Sequence, residues 1–297
     1  MKKMLFFVNP AAGREEIRSH LMDVLSYFTG SGYDVLCHPT QKAGDIPEFL
    51  SQRGSEFDMV VSCGGDGTLN ETVTGLMTLE KRPIIGYIPA GTVNDFATSL
   101  HIPTTIMEAA RVIVEGVPFG VDLGGFNDRY FTYVAAFGAF TKVSYATPHA
   151  SKQALGRAAY LLEGVRSLPD IRPIHVVAEA DGTVFEDNVI FGMISNATSV
   201  GGFKALDDSL VKMDDGLNEL ALVKMPKSLA DYNALLGGLA TRTFNPDYFH
   251  ILQSDRVTLH FNEPVPWTLD GEFGGETVDA VVTNLATPVQ VMVPAES

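Results

Sequence analysis

Through its first 120 residues the chain alternates short apolar runs with amphipathic stretches, and this rhythm constrains the fold more than any other feature. Runs at 4–8, 33–38, 59–63 and 84–88 predict strands, and the segments 15–28, 46–51, 68–79 and 106–115 predict helices. A βαβα order predicts a parallel sheet covered by helices. Loop-forming residues cluster just after the strands, in Asn9-Pro10-Ala11-Ala12-Gly13, Pro39-Thr40, Gly64 to Gly67 and Pro89-Ala90-Gly91-Thr92. Open α/β sheets bind ligands outside the carboxyl ends of their strands, so four such loops along one edge predict a ligand site there.

Beyond residue 120 the rhythm changes. Strand-like runs at 174–180 and 183–186 flank Asp181-Gly182, a strong hairpin signal. Further runs follow at 189–196, 217–223, 257–261, 265–269, 278–283 and 289–293, while only 153–168 and 228–240 look helical. The expected fold is an α/β N-terminal nucleotide-binding domain with a parallel sheet, joined to a mostly antiparallel β-sandwich C-terminal domain. The expected division is 1–120, with the last strand 288–297 returning to it, and 121–287. A cleft between the two halves is the expected place for a second substrate.

Composition narrows the function classes. Apolar residues make up 45% and charged residues 19% of the 297, which is globular rather than disordered. The apolar run after Met1 stops at Asn9-Pro10, shorter than a signal peptide needs, and no stretch approaches the length of a membrane span. Cys37 and Cys63 sit in apolar strand contexts and are expected to be buried free thiols of a cytoplasmic protein. A net charge of −15 argues against nucleic acid as a partner and gives no general attraction to anionic membranes. Membrane contact must then be local. The basic segment 142–172, with Leu155, Ala158, Leu162 and Val165 at helical spacing, is the candidate for peripheral docking, and packing on its own domain is the plainer reading.

The densest chemistry lies in Ser62-Cys63-Gly64-Gly65-Asp66-Gly67-Thr68-Leu69-Asn70-Glu71, between a predicted strand and a predicted helix. Glycines there admit positive φ and close approach of a ligand, and a helix start offers N–H groups and a positive dipole end to a phosphate. Asp66 inside such a cradle suits a divalent cation or a catalytic role better than direct phosphate contact. The P-loop pattern is absent, and the dinucleotide pattern fails where its third glycine is Asn70. In Pro89-Ala90-Gly91-Thr92-Val93-Asn94-Asp95-Phe96-Ala97 the polar residues suit either a helix cap or a site. Trp267-Thr268-Leu269-Asp270-Gly271-Glu272 is a tight turn carrying two acids, and such turns are mostly structural.

Taken together and in this order, these motifs resemble the bacterial lipid kinases of the diacylglycerol kinase family, whose catalytic domain is shared with diacylglycerol and sphingosine kinases. The resemblance spans nearly the whole chain, although the glycine loop alone is also similar to NAD kinases and phosphofructokinases. It implies ATP- and Mg²⁺-dependent phosphorylation of a lipid hydroxyl at the membrane surface, with diacylglycerol leading on family grounds. It implies nucleotide contacts at Asn9, Pro10, Ala11, Ala12, Gly13, Thr40, Gly64, Gly65, Asp66, Gly67, Thr68, Leu69, Asn70 and Thr92. Glu272 would be the general base, with Asp66 and Asp95 near a catalytic Mg²⁺. A second magnesium ion would take the Asp215 carboxylate and the Lys212 and Leu217 carbonyls, with Asp122 linked to it through water. Two departures stand out: Ala12 lacks the hydroxyl the family often has there, and Asn196-Ala197 replaces the family's Asn-Gly.

Two rival readings remain at this point. Transfer to a soluble nucleotide, as in NAD kinases, explains the glycine loop and a β-rich second half but not Asp270-Gly271-Glu272 with the 89–97 segment. A lipid-binding protein that lost catalysis would show degraded motifs, whereas Asp66, Asp95 and Glu272 are all present. A homodimer through a sheet edge or the second domain is compatible with the sequence.

Overall fold

Unbroken apolar runs, rather than alternating ones, build the central strands of the N-terminal unit. A computed structural model describes residues 1–12, 16–139, 172–200, 203–204, 212–241 and 244–295. The chain divides into two units, Met1–Asp122 with Ala286–Ser297 and Leu123–Leu285.

In the first unit β1 (Lys2–Val8), β2 (Tyr33–Pro39), β3 (Met59–Gly64) and β4 (Ile84–Pro89) lie in the order β2-β1-β3-β4, each neighbouring pair parallel. β3 is buried along its whole length, as a strand covered on both faces must be. The connections are α1 (Glu16–Gly30), α2 (Asp45–Arg53) and α3 (Asp66–Leu76), and α4 (Asp95–Ser99) and α5 (Ile106–Glu115) follow β4. α1 turns Ile17, Val24 and Phe28 inward, where Phe28 meets Phe6 edge-on at 5.8 Å. Because the four strands run in one direction, the loops at Asn9, Thr40, Gly65 and Ala90 all emerge from the same edge.

Among the described residues the second unit has antiparallel strand pairs. It contains the end of β5 (Val117–Phe126), then β6 (Arg129–Phe131), β7 (Val134–Gly138), β8 (Ile174–Ala180) and β9 (Thr183–Ser195). There follow β10 (Ser199–Val200), β11 (Phe203–Lys204), β12 (Asn218–Lys224), β13 (Phe249–Ser254), β14 (Arg256–Leu269) and the start of β15 (Glu272–Val293). One helix, α6 (Leu229–Thr241), lies between β12 and β13. The strands run β13-β12-β9-β7-β14-β15, with β8 paired to both β9 and β14. Trp267 anchors the core, with ring centroids 4.7 Å from Phe126, 4.7 Å from Phe137 and 6.1 Å from Phe261. Such aromatic pairs contribute about 0.5–1.5 kcal/mol each beyond the area they bury. Phe126, Phe131, Tyr133 and Phe137 are all buried core residues.

Several sequence expectations need correction. No strand was expected at β5, β6, β7 or β13; 117–139 is rich in Gly and Ala and β7 takes its partners, β9 and β14, from far along the chain, while β13 pairs with β12. Runs 257–261 and 265–269 join across an irregularity between His260 and Val265 to form β14. Runs 278–283 and 289–293 join as β15. The helix expected at 68–79 starts earlier, at Asp66, and ends at Leu76. Cys63 is buried and burial pushes its thiol up to about 12, but Cys37 is only half-buried. The amphipathic segment 153–168 and Gly13 lie outside the described residues. Among the described residues no helix is long and apolar enough to cross a membrane.

Candidate active site

The glycines after β3 serve close approach, not backbone reversal. None of Gly64, Gly65 and Gly67 adopts a positive φ, contrary to the freedom the sequence suggested. A Cβ on Gly64 would lie 2.3 Å from Thr68 Oγ1, and one on Gly91 would lie 2.6 Å from the Cα of Gly65. The two glycine loops thus touch backbone to backbone, and any side chain at Gly91 would drive them apart. Gly67 differs, since a Cβ there would meet nothing within 4 Å and the first turn of α3 faces open space at that point.

Hydrogen bonds fix the strand-end loops to one another. Asn9 donates its backbone N–H to the Cys63 carbonyl (3.0 Å) and its Nδ2 to Thr68 Oγ1 (3.1 Å), while its Oδ1 accepts from Ala11 (3.0 Å). Thr40 donates its N–H to the Val8 carbonyl (2.9 Å), and Ala90 donates to the Gly64 carbonyl (2.8 Å). The fold therefore draws Asn9, Thr40, Gly64 to Asn70 and Gly91 together, with Thr92 exposed on the last loop. The N–H groups of Thr68 and Leu69 are both committed to the Gly65 carbonyl (3.0 and 3.1 Å). A phosphate at this turn would be met at Gly67 rather than farther along the helix.

Asp66 and Asp95 meet within this unit. The Asp66 carboxylate accepts the backbone N–H groups of Asp95 (3.3 Å) and Phe96 (3.4 Å), so it sits at the start of α4. Asn94, at φ 56°, closes the preceding turn by bonding both backbone groups of Gly91 (2.9 and 3.0 Å). Asp66 is partly exposed, whereas Asp95 is fully buried. Tyr87 lies close by, its hydroxyl bonding the Gly64 carbonyl at 3.3 Å. Burial first, then Asp66, Cys63 and Asp95, holds that phenol well above its usual range.

In the second unit Asp270 (φ 50°) and Gly271 (φ 82°) form the two-residue turn between β14 and β15, pairing Leu269 with Glu272. Positive φ at both positions is the hairpin turn that matches strand twist. The two acids of this turn have opposite lives. Asp270 is buried, and its carboxylate accepts from Thr132 N (2.7 Å), Thr132 Oγ1 (2.8 Å), Tyr133 N (3.0 Å) and Val134 N (3.1 Å). Burial pushes its carboxyl up while these donors pull the other way. Asp270 also donates its own N–H to the Val134 carbonyl (2.8 Å). Glu272, two residues on, is exposed. The hairpin tip is bolted down by one acid and presents the other.

The Asp214-Asp215-Gly216 turn supplies oxygens. Among the described residues no three His, Cys, Asp or Glu side chains cluster for a metal, so backbone and amide oxygens, waters or phosphates would complete the shell of an ion. Asp215 Oδ1 accepts the Leu217 N–H (3.0 Å), and the Leu217 carbonyl accepts Asn284 Nδ2 (2.9 Å). Sequence reasoning missed Asn284 and the buried Glu219. Gln253 donates to Glu219 Oε1 (3.0 Å), but Glu219 Oε2 and Asn284 Oδ1 are buried with no partner in the protein. Burial, more than the nearby Asp215, pushes the Glu219 carboxyl up to about 7. An all-oxygen set with orphaned buried oxygens fits a hard cation such as Mg²⁺. Asp122, buried in the first unit, accepts the Thr287 N–H at 2.7 Å. The spacing of Glu219 two residues beyond Leu217 was the only sequence clue to it, and nothing in the sequence pointed to Asn284.

Comparison with known proteins places the whole chain in one family. Residues 3–126 match the family model described as the diacylglycerol kinase catalytic domain. A diacylglycerol kinase of Bacillus subtilis (strain 168) is 36% identical over 300 residues, covering 100% of this chain and 98% of that protein. One from Staphylococcus carnosus (strain TM300) is 35% identical, covering 99% and 96%. Among solved structures, a diacylglycerol kinase from Bacillus anthracis str. Sterne superimposes with a TM-score of 0.83 at 26% identity, covering 98% of this chain and 97% of that one.

Proposed function

The chain belongs to the diacylglycerol kinase family and is a lipid kinase, and from that premise we propose that it transfers the γ-phosphoryl group of ATP, with Mg²⁺, to the free hydroxyl of diacylglycerol. The product is phosphatidic acid. The observation that carries this reading is the junction of the two glycine loops, where Asp66 holds the start of α4 beside the open first turn of α3.

Phosphoryl transfer needs in-line positioning and neutralised charge on the transferring oxygens more than it needs covalent chemistry. The strand-end residues Asn9 to Gly13, Thr40, Gly64 to Asn70 and Thr92 are proposed to bind the nucleotide, with its phosphates at Gly67. Asp66, with Asp95 behind it, would hold a magnesium ion that offsets phosphate charge. Lys212, Asp215 and Leu217 would hold a second ion. Glu272 takes the proton of the lipid hydroxyl as that oxygen bonds the γ-phosphorus, the bond to the β-phosphate bridging oxygen breaks, and ADP leaves. Reaction at a membrane surface suits an acceptor that stays in a bilayer.

The test is an assay with ATP, Mg²⁺ and a panel of diacylglycerol, a sphingoid base, phosphatidylglycerol and NAD. Phosphatidic acid as the main product is expected. Phosphorylation of NAD instead would favour the soluble-nucleotide reading, and no transfer to any acceptor would favour a protein that only binds lipid. Gly67→Ala tests the phosphate position separately. Ala is up to about 1 kcal/mol better than Gly in a helix, so the melting temperature should hold or rise. Affinity for ATP should nevertheless fall, by about tenfold or 1.4 kcal/mol, because the new methyl stands where the phosphate must approach. Unchanged ATP affinity would remove the phosphate from this turn.

A further inference from the structure

We propose that Glu71 is a positioning residue for the nucleotide, holding the Thr40 loop in register with the phosphate turn of its own helix; this rests on the lipid kinase reading above. Glu71 follows Asn70 on α3, and its Oε1 accepts the backbone N–H of Gly44 at 3.0 Å. Gly44 precedes α2 in a left-handed conformation (φ 80°) and has no side chain with which to cap that helix. The carboxylate of Glu71 thus supplies from another helix the acceptor and negative charge that the start of α2 lacks.

Packing explains why Glu71 can reach. Four residues on, Gly75 lies on the same face of α3, and a Cβ there would sit 2.8 Å from Leu50 Cδ1 and 2.9 Å from the Cα of Pro47. α2 therefore lies tightly on α3 at Gly75, and Glu71 meets its amino-terminal end. The other side of the loop is tied by Asp45, whose Oδ2 accepts the Gln41 N–H (2.8 Å) and bonds His38 Nε2 (3.2 Å). Gln41 Nε2 also donates to the Pro39 carbonyl (2.9 Å). Thr40 sits between His38 and Gln41, the two residues that Asp45 holds, and is pinned to Val8 next to Asn9, which itself reaches Thr68 on α3. One helix thereby carries the phosphate turn at its first residues and sets the loop that meets the rest of the nucleotide.

Two measurements decide the proposal: steady-state kinetics with ATP varied at saturating lipid, and direct calorimetric titration of ATP without lipid. Glu71→Ala should raise KM and Kd for ATP about tenfold while kcat changes less than about twofold, since binding rather than chemistry is lost. Glu71→Gln keeps an acceptor for Gly44 and should recover most of the affinity. An unchanged Kd in Glu71→Ala, or a fall in kcat with KM unmoved, overturns the proposal. So does a Glu71→Gln variant as weak as Glu71→Ala. If Glu71→Ala does not fold, Asp45→Ala releases the other clasp and should show the same shift, with no shift counting against the proposal. A wild-type protein that binds ATP but phosphorylates no lipid defeats the functional reading alone, and the Kd of Glu71→Ala still decides this one.

Discussion

Glu272→Gln is expected to fold normally, to bind ATP as the wild type does, and to lose about 10²–10⁴-fold in kcat, the usual contribution of a positioned general base. The substitution is nearly isosteric, and Glu272 is exposed at a hairpin tip, outside the packed core. The lipid hydroxyl is far too weak an acid to ionise at neutral pH, and its proton must leave as the phosphorus–oxygen bond forms. An amide cannot accept that proton. A variant keeping more than about a tenth of wild-type kcat would reject the base role, because such a residue contributes at least about a hundredfold.

Asp270→Ala is expected to be the most destabilising single change in the second unit, at about 3–5 kcal/mol, the cost of removing one partner from a buried charged network. Three backbone N–H groups and the Thr132 hydroxyl lose their acceptor in a buried site. Ala is also strained at the positive φ of this turn, which Asp and Asn tolerate. Asp270→Asn should cost less, because it keeps the backbone conformation and one acceptor oxygen. Denaturant unfolding measures both. If Asp270→Ala unfolds at the wild-type midpoint, the carboxylate does not bolt the hairpin. Activity should follow the same order, since a loosened tip misplaces Glu272.

Some of this was open to inspection in the chain itself. Runs such as Met59–Gly64 are short, apolar and end in glycines, and a strand buried on both faces needs no more than that to be recognised. The Asp181-Gly182 and Asp270-Gly271 turns were equally plain, because only a few residues accept positive φ at both central positions. By contrast, β7 gains its strand character from β9 and β14, which lie far away in sequence, so its own Ala-rich residues announce nothing. The candidate site divides the same way. Motif residues Asn9, Asp66 and Glu272 could be named in advance, while the work of Asp270, Glu219 and Asn284 could not.

Local chemistry decided which loops could sit at strand ends, which turns could be tight and which residue types could meet a phosphate, because backbone preference and side-chain class act over a few residues. The partnerships were decided elsewhere. Asp66 grips amides 29 and 30 residues away, Glu71 an amide 27 residues back, and Asp270 three amides more than 130 residues back. No local rule pairs such groups. They meet because burying the apolar strands leaves each carboxylate beside donors that would otherwise go unsatisfied, and only the folded chain brings the two within bonding distance.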